Sequence, residues 1–245
     1  MLFRSVMRGI RAALGLLMGV AAWAAPQSDG LDAYMRHLAQ EGQVQIVNET
    51  VSIPGLHALT RFEIQYRANW DYEVALEKRG EEYYLQIRPQ VTAAVVSVKH
   101  TMKLPEGEEQ KSQRYRVLLL HEYDHVAISA DGRVKVLLQG LLRNIAPMRV
   151  RWTGTIPPPK DAVNAFILEE MESRKRAVVS LVDHAYKKLD RESDHGRATL
   201  PNRAGLFLSL FTEKHLEESK FPYLEQGRKV LNSVEAKTAT RLFRF

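Results

Sequence analysis

Apolar residues recur at every second position in several stretches of residues 43–104. The stretches 62–66, 72–76 and 83–87 alternate apolar side chains with polar, charged or small ones, and Lys78-Arg79-Gly80-Glu81 has the composition of a tight turn. A period of two is that of a β-strand with one buried face. This region therefore predicts half-buried antiparallel strands, two of them joined by a hairpin turn.

The period changes to that of a helix after Pro105. Apolar residues then recur at steps of three and four, which predicts a first helix over about 109–130, a second over 134–145 and a longer third over 163–189. The prolines at 147 and 157–159 predict a stiff loop between the second and third helices.

These patterns predict the α+β fold class, with an N-terminal antiparallel β-sheet followed by a helical part. We divide the chain into a leader over 1–24, a main domain over 25–200 and a C-terminal helical appendage over 201–245. Within the main domain, 43–104 is the β-rich part and 109–196 is the helical part.

The first 24 residues have the layout of a secretory signal peptide. Three arginines between positions 4 and 11 precede an apolar run over 12–22 and the small-x-small triplet Ala22-Trp23-Ala24. The run is shorter than the ~20 residues that span a bilayer, so we expect cleavage after Ala24 and no stable membrane span. The protein is then periplasmic or secreted.

The amino-acid composition limits which metal ligands and which partners are expected. The chain has no cysteine, so it has neither a disulfide nor a thiolate metal ligand. Its net charge of +6 includes three leader arginines, which leaves 32 basic and 29 acidic residues, or +3, after cleavage. The basic residues are scattered among acidic ones, so nucleic acid is not an expected partner.

The five residues His121-Glu122-Tyr123-Asp124-His125 form an HExxH motif near the end of the first predicted helix. Residues four apart share one face of a helix, so both imidazoles would bind a single Zn²⁺. Glu122 would then face a metal-bound water as its general base. This spacing is that of a zinc hydrolase.

A catalytic zinc usually has three protein ligands, and the motif supplies two. The residues leave several sources of the third ligand open. Asp131 lies ten residues after His121, where metzincin-like enzymes place theirs, although Ile128 stands where the preceding turn favours glycine. The other candidates come from the third helix or follow it, and they are Glu169, Glu170, His184 and His195.

The segment after the third helix carries a resemblance. Together with the leader, the β-rich first part and the HExxH motif, it resembles the bacterial family of predicted secreted zinc-dependent proteases, a domain of largely unknown function. That family has a later aromatic-Asp-x-x-Thr-x-His-Gly stretch, which this chain matches at Asp190, His195 and Gly196, with Ser193 for threonine and Leu189 for the aromatic residue.

The resemblance implies a zinc peptidase and favours His195 as the third ligand. Gly196 would allow a sharp turn there, and Asp190 or Asp194 would accept the second N–H of the imidazole. Tyr186 or His184 are our candidates for the donor to the oxyanion.

The expected function is that of an exported zinc metallopeptidase acting on a peptide or protein, with Glu122 as general base. An extended substrate would pair with an exposed strand, for which we choose 91–103. Two alternatives stay open: a non-catalytic envelope protein with a structural or vestigial metal site, and a zinc amidase acting on another amide bond.

Overall fold

The computed structural model describes residues 3–6, 31–41, 43–48, 58–105 and 112–239. Its helices and its mixed sheet confirm the α+β class, with the sheet largely preceding the helices. The elements in chain order are β1 Phe3–Val6, α1 Leu31–Glu41, β2 Val44–Asn48, β3 Leu59–Arg79, β4 Glu82–Leu104, α2 Gln113–Ala130, α3 Gly132–Arg143, β5 Met148–Trp152, α4 Lys160–Glu192, α5 Arg203–Ser209, α6 Glu213–Glu218, α7 Leu224–Leu231 and α8 Val234–Ala239.

The sheet is built on one long antiparallel hairpin of β3 and β4. The predicted turn is present, and Gly80 adopts the left-handed conformation, with φ of 59°, that a residue with a side chain rarely adopts. The separate short strands that the alternation suggested are continuous, with a register shift between Asn69 and Trp70. The spatial order is β1-β3-β4-β2, and β5 also pairs with β4.

Two details of the sheet differ from the prediction. β2 pairs parallel with the end of β4, so the sheet is mixed rather than wholly antiparallel, because β3 intervenes and reverses the chain between them. Residues 148–152 form β5 instead of belonging to a loop, and they pair with residues 83–87 of β4. Met148, Val150 and Trp152 alternate with arginines, which is the period of a strand.

One face of the sheet packs against the helices. Ile64, Leu85, Ile87, Val98 and Met102 are buried there, whereas their neighbours along the strands are mostly charged or polar. Such alternation places every second residue in the core.

Helix α2 begins at Gln113, where the Ser112 hydroxyl accepts a hydrogen bond from the Tyr115 backbone N–H and caps the helix. Every residue from His121 to Ala130 is buried. Its neighbours are α1, α3, α4 and the strands β3 and β4. The HExxH motif therefore lies in a part of α2 that packs on several sides.

The C-terminal region is helical, as expected, but it shares the main core. Its buried apolar side chains belong to the same cluster as those of α2 to α4, and they include Leu206, Phe207, Leu210, Phe211 and Leu216. The proposed boundary at residue 201 stays a prediction.

Of the predicted leader, the structure describes only β1, which pairs with residues 71–74 of β3. Residues 7–24 lie outside the described part, so the signal peptide stays a prediction. No helix among the described residues has the length and apolar character needed to cross a membrane.

Candidate metal centre

His121 and His125 lie one turn apart on α2 and direct the same nitrogen toward the same point. Their Nε2 atoms are 3.1 Å apart, and the two rings meet edge to face. Both side chains are buried. The helix therefore places the two imidazoles as the spacing of the motif predicts.

Asp190, in the last turn of α4, completes a triangle with the two histidines. Its Oδ1 lies 3.2 Å from His121 Nε2 and 3.1 Å from His125 Nε2. Tetrahedral Zn²⁺ with bonds of about 2.0–2.1 Å keeps its ligand atoms about 3.3 Å apart, so the triangle has the size that a zinc ion requires. This is the one group of three or more metal-ligating side chains found among the described residues.

The charge of Asp190 suits a metal ligand. Burial acts to raise the pKa of this carboxyl, but hydrogen bonds with His121 and His125 and the charges of their rings hold the pKa well below its usual range. The carboxylate is therefore ionised at neutral pH, which is the form that binds a cation.

Ser193, the C-terminal cap of α4, fixes the tautomer of His121. Its hydroxyl donates to the Leu189 carbonyl oxygen at 2.9 Å and accepts from the Gly196 backbone N–H at 3.2 Å. Its proton is thus in use, so its 3.1 Å contact with His121 Nδ1 is one in which the imidazole donates. A proton on Nδ1 leaves Nε2, which lies beside Asp190 and His125, as the nitrogen that would bind a metal.

The Nδ1 side of the His125 ring is held by packing instead of by a hydrogen bond. Its Nδ1 is buried and has no partner within the described residues. The Tyr186 ring lies against it, with the ring centroids 4.3 Å apart, and the Phe62 ring packs edge to face with Tyr186. The Tyr186 hydroxyl is 2.8 Å from Ser129 Oγ, which anchors the tyrosine to α2.

Glu122 lines a pocket of about 160 Å³ beside the triangle. The Thr60 hydroxyl donates to its Oε2 at 2.6 Å and lies 3.3 Å from its backbone carbonyl oxygen. Among the described residues no hydrogen bond reaches the other carboxylate oxygen, Oε1. The remaining residues of the pocket are Ala58, Leu59, Arg114, Leu118, His121, His125, Tyr186, Asp190, His195, Gly196 and Arg197.

The turn after α4 presses against the first histidine. Asp194, His195 and Gly196 have φ of 48°, 53° and 74°, so three successive residues are left-handed. A Cβ on Gly196 would lie 2.8 Å from His121 Cδ2, closer than van der Waals contact permits. Glycine is thus required there both by the backbone conformation and by the approach to His121.

His195, the predicted third ligand, lines the pocket but is not in the triangle. Its backbone N–H donates to the Asp190 carbonyl oxygen at 2.8 Å, which places it next to the acid that contacts both imidazoles. The structure thus brings Asp190, and not His195, to the histidine pair. From the sequence, Asp190 is expected only to support His195.

The other candidates for the third ligand have partners away from the triangle. Asp131 is buried in an ion pair and also caps α3 through the Arg133 backbone N–H. The partners are Arg133 for Asp131, Arg176 for Glu169, Arg174 for Glu170 and His215 for His184.

The two candidates for the oxyanion donor are also engaged elsewhere. The Tyr186 ring lines the pocket, but its hydroxyl contacts Ser129. His184 Nδ1 lies 3.1 Å from His215 Nε2. Neither assignment has geometric support, because an oxyanion needs a donor directed into the pocket.

Asp124, the residue before His125 in the motif, links α2 to α1 and α5 through its side chain. Its Oδ2 is 3.2 Å from Arg203 Nε in α5, and the Tyr34 hydroxyl of α1 donates to its Oδ1 at 3.3 Å. Burial raises the pKa of Asp124 to about 6, although Arg203 acts to lower it. The residue is thus a buried anchor of the helix that carries both histidines.

The sequence did not indicate Thr60 as a site residue, and it indicated Asp190 and Ser193 only as parts of a motif and not as neighbours of the histidine pair. Thr60 carried no signal, because a threonine at the start of a predicted strand is common. Asp190 and Ser193 lie in residues 189–196, the stretch that carries the resemblance, but no local feature of that stretch assigns either residue to the histidine pair.

Comparisons with protein families, with curated proteins and with solved structures give no match to this chain. The resemblance to secreted zinc-dependent proteases therefore stays a prediction that rests on the two short motifs.

Proposed function

We propose that the protein is an exported zinc-dependent metallopeptidase whose site consists of His121, His125, Asp190 and Glu122. The observation that carries the proposal is the convergence of two imidazole nitrogens and one ionised carboxylate beside a glutamate in a pocket. Export rests on the leader, and the mass of the protein recovered from the periplasm or the medium tests cleavage after Ala24.

The donor set suits zinc. Two imidazoles and one carboxylate are ligands that Zn²⁺ accepts in catalytic sites, where three protein ligands leave the fourth tetrahedral position open. The orientation of the triangle supports this assignment, since Ser193 holds His121 in the tautomer that a metal ligand needs. Bound zinc would supply Lewis-acid polarisation of a carbonyl group and would lower the pKa of a water molecule.

Glu122 is the group that moves the proton. Thr60 holds Oε2, so Oε1 is the oxygen that takes the proton from water as the water attacks the scissile carbonyl carbon. The same Oε1 then passes that proton to the nitrogen of the leaving amine. Thr60 therefore acts as a positioning residue that keeps the carboxylate aimed along one direction.

The sheet offers a place for an extended substrate. Leu59 and Thr60 begin β3 and line the pocket, and within the described residues 59–70 of β3 pair only with β4. A peptide that added to this edge through main-chain hydrogen bonds would reach Glu122. This edge suits the proposal better than residues 91–103 of β4, which do not line the pocket.

The deciding experiment compares the wild-type protein with Glu122→Gln, which keeps the shape of the side chain but removes its basicity. We expect about one zinc per chain in both, and a fall in kcat/KM on fluorescein-labelled casein of about 10²- to 10⁴-fold in the variant. Glu169→Gln, an exposed acid on α4 that pairs with Arg176, is the matched control and keeps full activity.

The result separates the proposal from its alternatives. Zinc binding without hydrolysis of casein or of any other amide by the wild type would assign the ions to a structural or vestigial site. Equal turnover by the wild type and by Glu122→Gln would remove Glu122 from the mechanism. The partner of Glu122 supports the catalytic assignment, because it is a threonine hydroxyl and not an arginine that would neutralise the carboxylate.

A further inference from the structure

The turn that follows α4 carries two nitrogen-bearing side chains at the mouth of the pocket. His195 and Arg197 are both exposed on the turn and both line the pocket. Their exposure is compatible with contact to a substrate, and neither is used by the proton transfer assigned to Glu122.

The turn is a defined structure with a strained backbone. Left-handed φ angles at Asp194 and His195 are unfavourable for residues that carry a side chain, and such strain persists only where the surroundings hold it. Backbone hydrogen bonds within the turn do so, because the N–H groups of His195, Arg197 and Ala198 donate to carbonyl oxygens of residues 190, 194 and 193. The side chains of His195 and Arg197 are therefore presented from a fixed backbone.

Charged side chains of both signs line the pocket. Its acidic lining residues are Glu122 and Asp190, and their two charges would be balanced by one bound Zn²⁺. Arg197 also lines the pocket, and its positive charge lies beside the space that a substrate would fill. In a partly enclosed pocket such a charge attracts anionic groups.

We propose that His195 and Arg197 bind a carboxylate of the substrate, so that the preferred substrates are peptides with a carboxylate next to the scissile bond. This inference rests on the proposed function and names its substrate class. The carboxylate belongs either to the C-terminus of the peptide or to an acidic side chain, since both present the same group.

Arg197 suits this role by the chemistry of its side chain. A guanidinium donates two parallel hydrogen bonds to one carboxylate, and the imidazole of His195 adds a third donor. The present partner of Arg197 is Asp194 at 3.8 Å, and both side chains are more than half exposed, so this ion pair is weak and a substrate can replace it.

The test measures binding, so it does not depend on turnover. Zinc-loaded full-length Glu122→Gln is titrated by calorimetry with N-acetyl tetra-alanine as the free acid and as the amide. The second pair consists of two N-acetyl tetrapeptide amides based on tetra-alanine, one with glutamate and one with glutamine at the third position. We expect one or both carboxylate peptides to bind about tenfold more tightly than the neutral partner, with a preference that falls as salt is added.

Two further variants in the Glu122→Gln background test which side chains cause the preference for the carboxylate peptide. Arg197→Gln and His195→Gln should each reduce it by about threefold or more while zinc content stays at one per chain. Arg191→Gln is the matched control, because Arg191 is an exposed arginine near the end of α4 that does not line the pocket.

Each outcome decides between the assignments. Equal binding of acid and amide in both pairs overturns the inference, while casein hydrolysis by the wild type would leave the proposed function intact. Loss of zinc in His195→Gln also overturns it, because His195 would then be a metal ligand. Absence of both peptide binding and hydrolysis removes the inference and the proposed function together.

Discussion

His121 and His125 can be compared with a second histidine pair, His184 of α4 and His215 of α6. In each pair two ring nitrogens lie 3.1 Å apart. His215 is at least as deeply buried as His121 and His125, although His184 is half-buried. The distance between the rings and the burial of one ring therefore do not distinguish a candidate metal centre from a structural pair.

The protons on the rings differ between the two pairs. The Phe211 backbone N–H donates to His215 Nδ1, so a neutral His215 carries its proton on Nε2 and donates it to His184 Nδ1. That contact is a satisfied hydrogen bond between the two rings. In the first pair, the His121 Nδ1–H donates to Ser193 Oγ, which leaves Nε2, beside the neighbouring ring and Asp190, as the nitrogen that would bind a metal.

The surrounding charges also differ. Asp190 contacts both rings of the first pair, whereas burial, His184, Lys188 and Arg133 together lower the pKa of His215 to about 4. Burial is the largest cause, and the positive charges that add to it also disfavour a metal cation. The tautomer and the sign of the local field, more than the distance between the rings, therefore distinguish the pair that could hold a metal.

The largest expected effect comes from removing ligands of the first pair. His121→Ala and Asp190→Ala should each weaken zinc binding by more than about 100-fold, because the loss of a direct ligand exceeds the effect of its supporting residues. His184→Gln, in the second pair, should keep one zinc per chain. Zinc content after dialysis against a competing chelator measures all three.

Asp190→Ala and His195→Ala test the two assignments of the third ligand directly. We expect His195→Ala to keep its zinc. Zinc retained in Asp190→Ala and lost in His195→Ala would instead restore the assignment made from the sequence. Zinc lost on changing His184 would show that the second pair also holds metal, and it would refute the comparison.

A smaller effect is expected from Ser193, the residue that distinguishes the tautomers. Ser193→Ala should weaken zinc binding by about 10- to 100-fold, because the His121 ring loses the acceptor that fixes its proton and its orientation. Ser193→Thr keeps the hydroxyl and should restore most of the affinity. Unfolding of the zinc-free proteins in urea separates this effect from a general loss of stability.

An equal zinc affinity in the wild type and Ser193→Ala would mean that the packing around His121 fixes its ring without the serine. An exposed serine of α4 provides the control, and Ser180→Ala should leave zinc binding unchanged.

The sequence predicts the first histidine pair well because both residues lie on one helix. The i, i+4 spacing and the buried end of α2 are local features, and the end of the helix at Ala130 follows from Asp131 and Gly132. Asp190 could not be chosen in the same way, because its position depends on how α4 packs across α2.

The fold likewise has features that neighbouring residues determine and features that depend on segments far apart in the chain. Alternation predicts the strands and the turn at Gly80, since each is set by neighbouring residues. The parallel pairing of β2 and the addition of β5 to β4 join segments that are about 50 or more residues apart, and periodicity contains no information about such partners.

The smallest expected effect is a pH dependence of stability that comes from His215. Its pKa in the folded protein is about 4, below the ordinary 6.5. His215 therefore binds a proton in the unfolded chain at pH values where the folded protein does not bind it. The free energy of unfolding that is present above pH 6.5 falls as the pH is lowered toward 4. Between about pH 7.5 and pH ~5.5 the expected loss is about 1.3 kcal/mol.

The difference between the wild type and His215→Gln isolates this effect, because other groups titrate in both proteins. Asp124 acts in the opposite direction, since its pKa is raised to about 6, so the wild type alone would show only the balance of the two. Urea unfolding of the zinc-free proteins at both pH values should show a smaller loss in the variant. An identical pH dependence would mean that the second pair accepts a proton readily, and the contrast in local field between the two pairs would then fail.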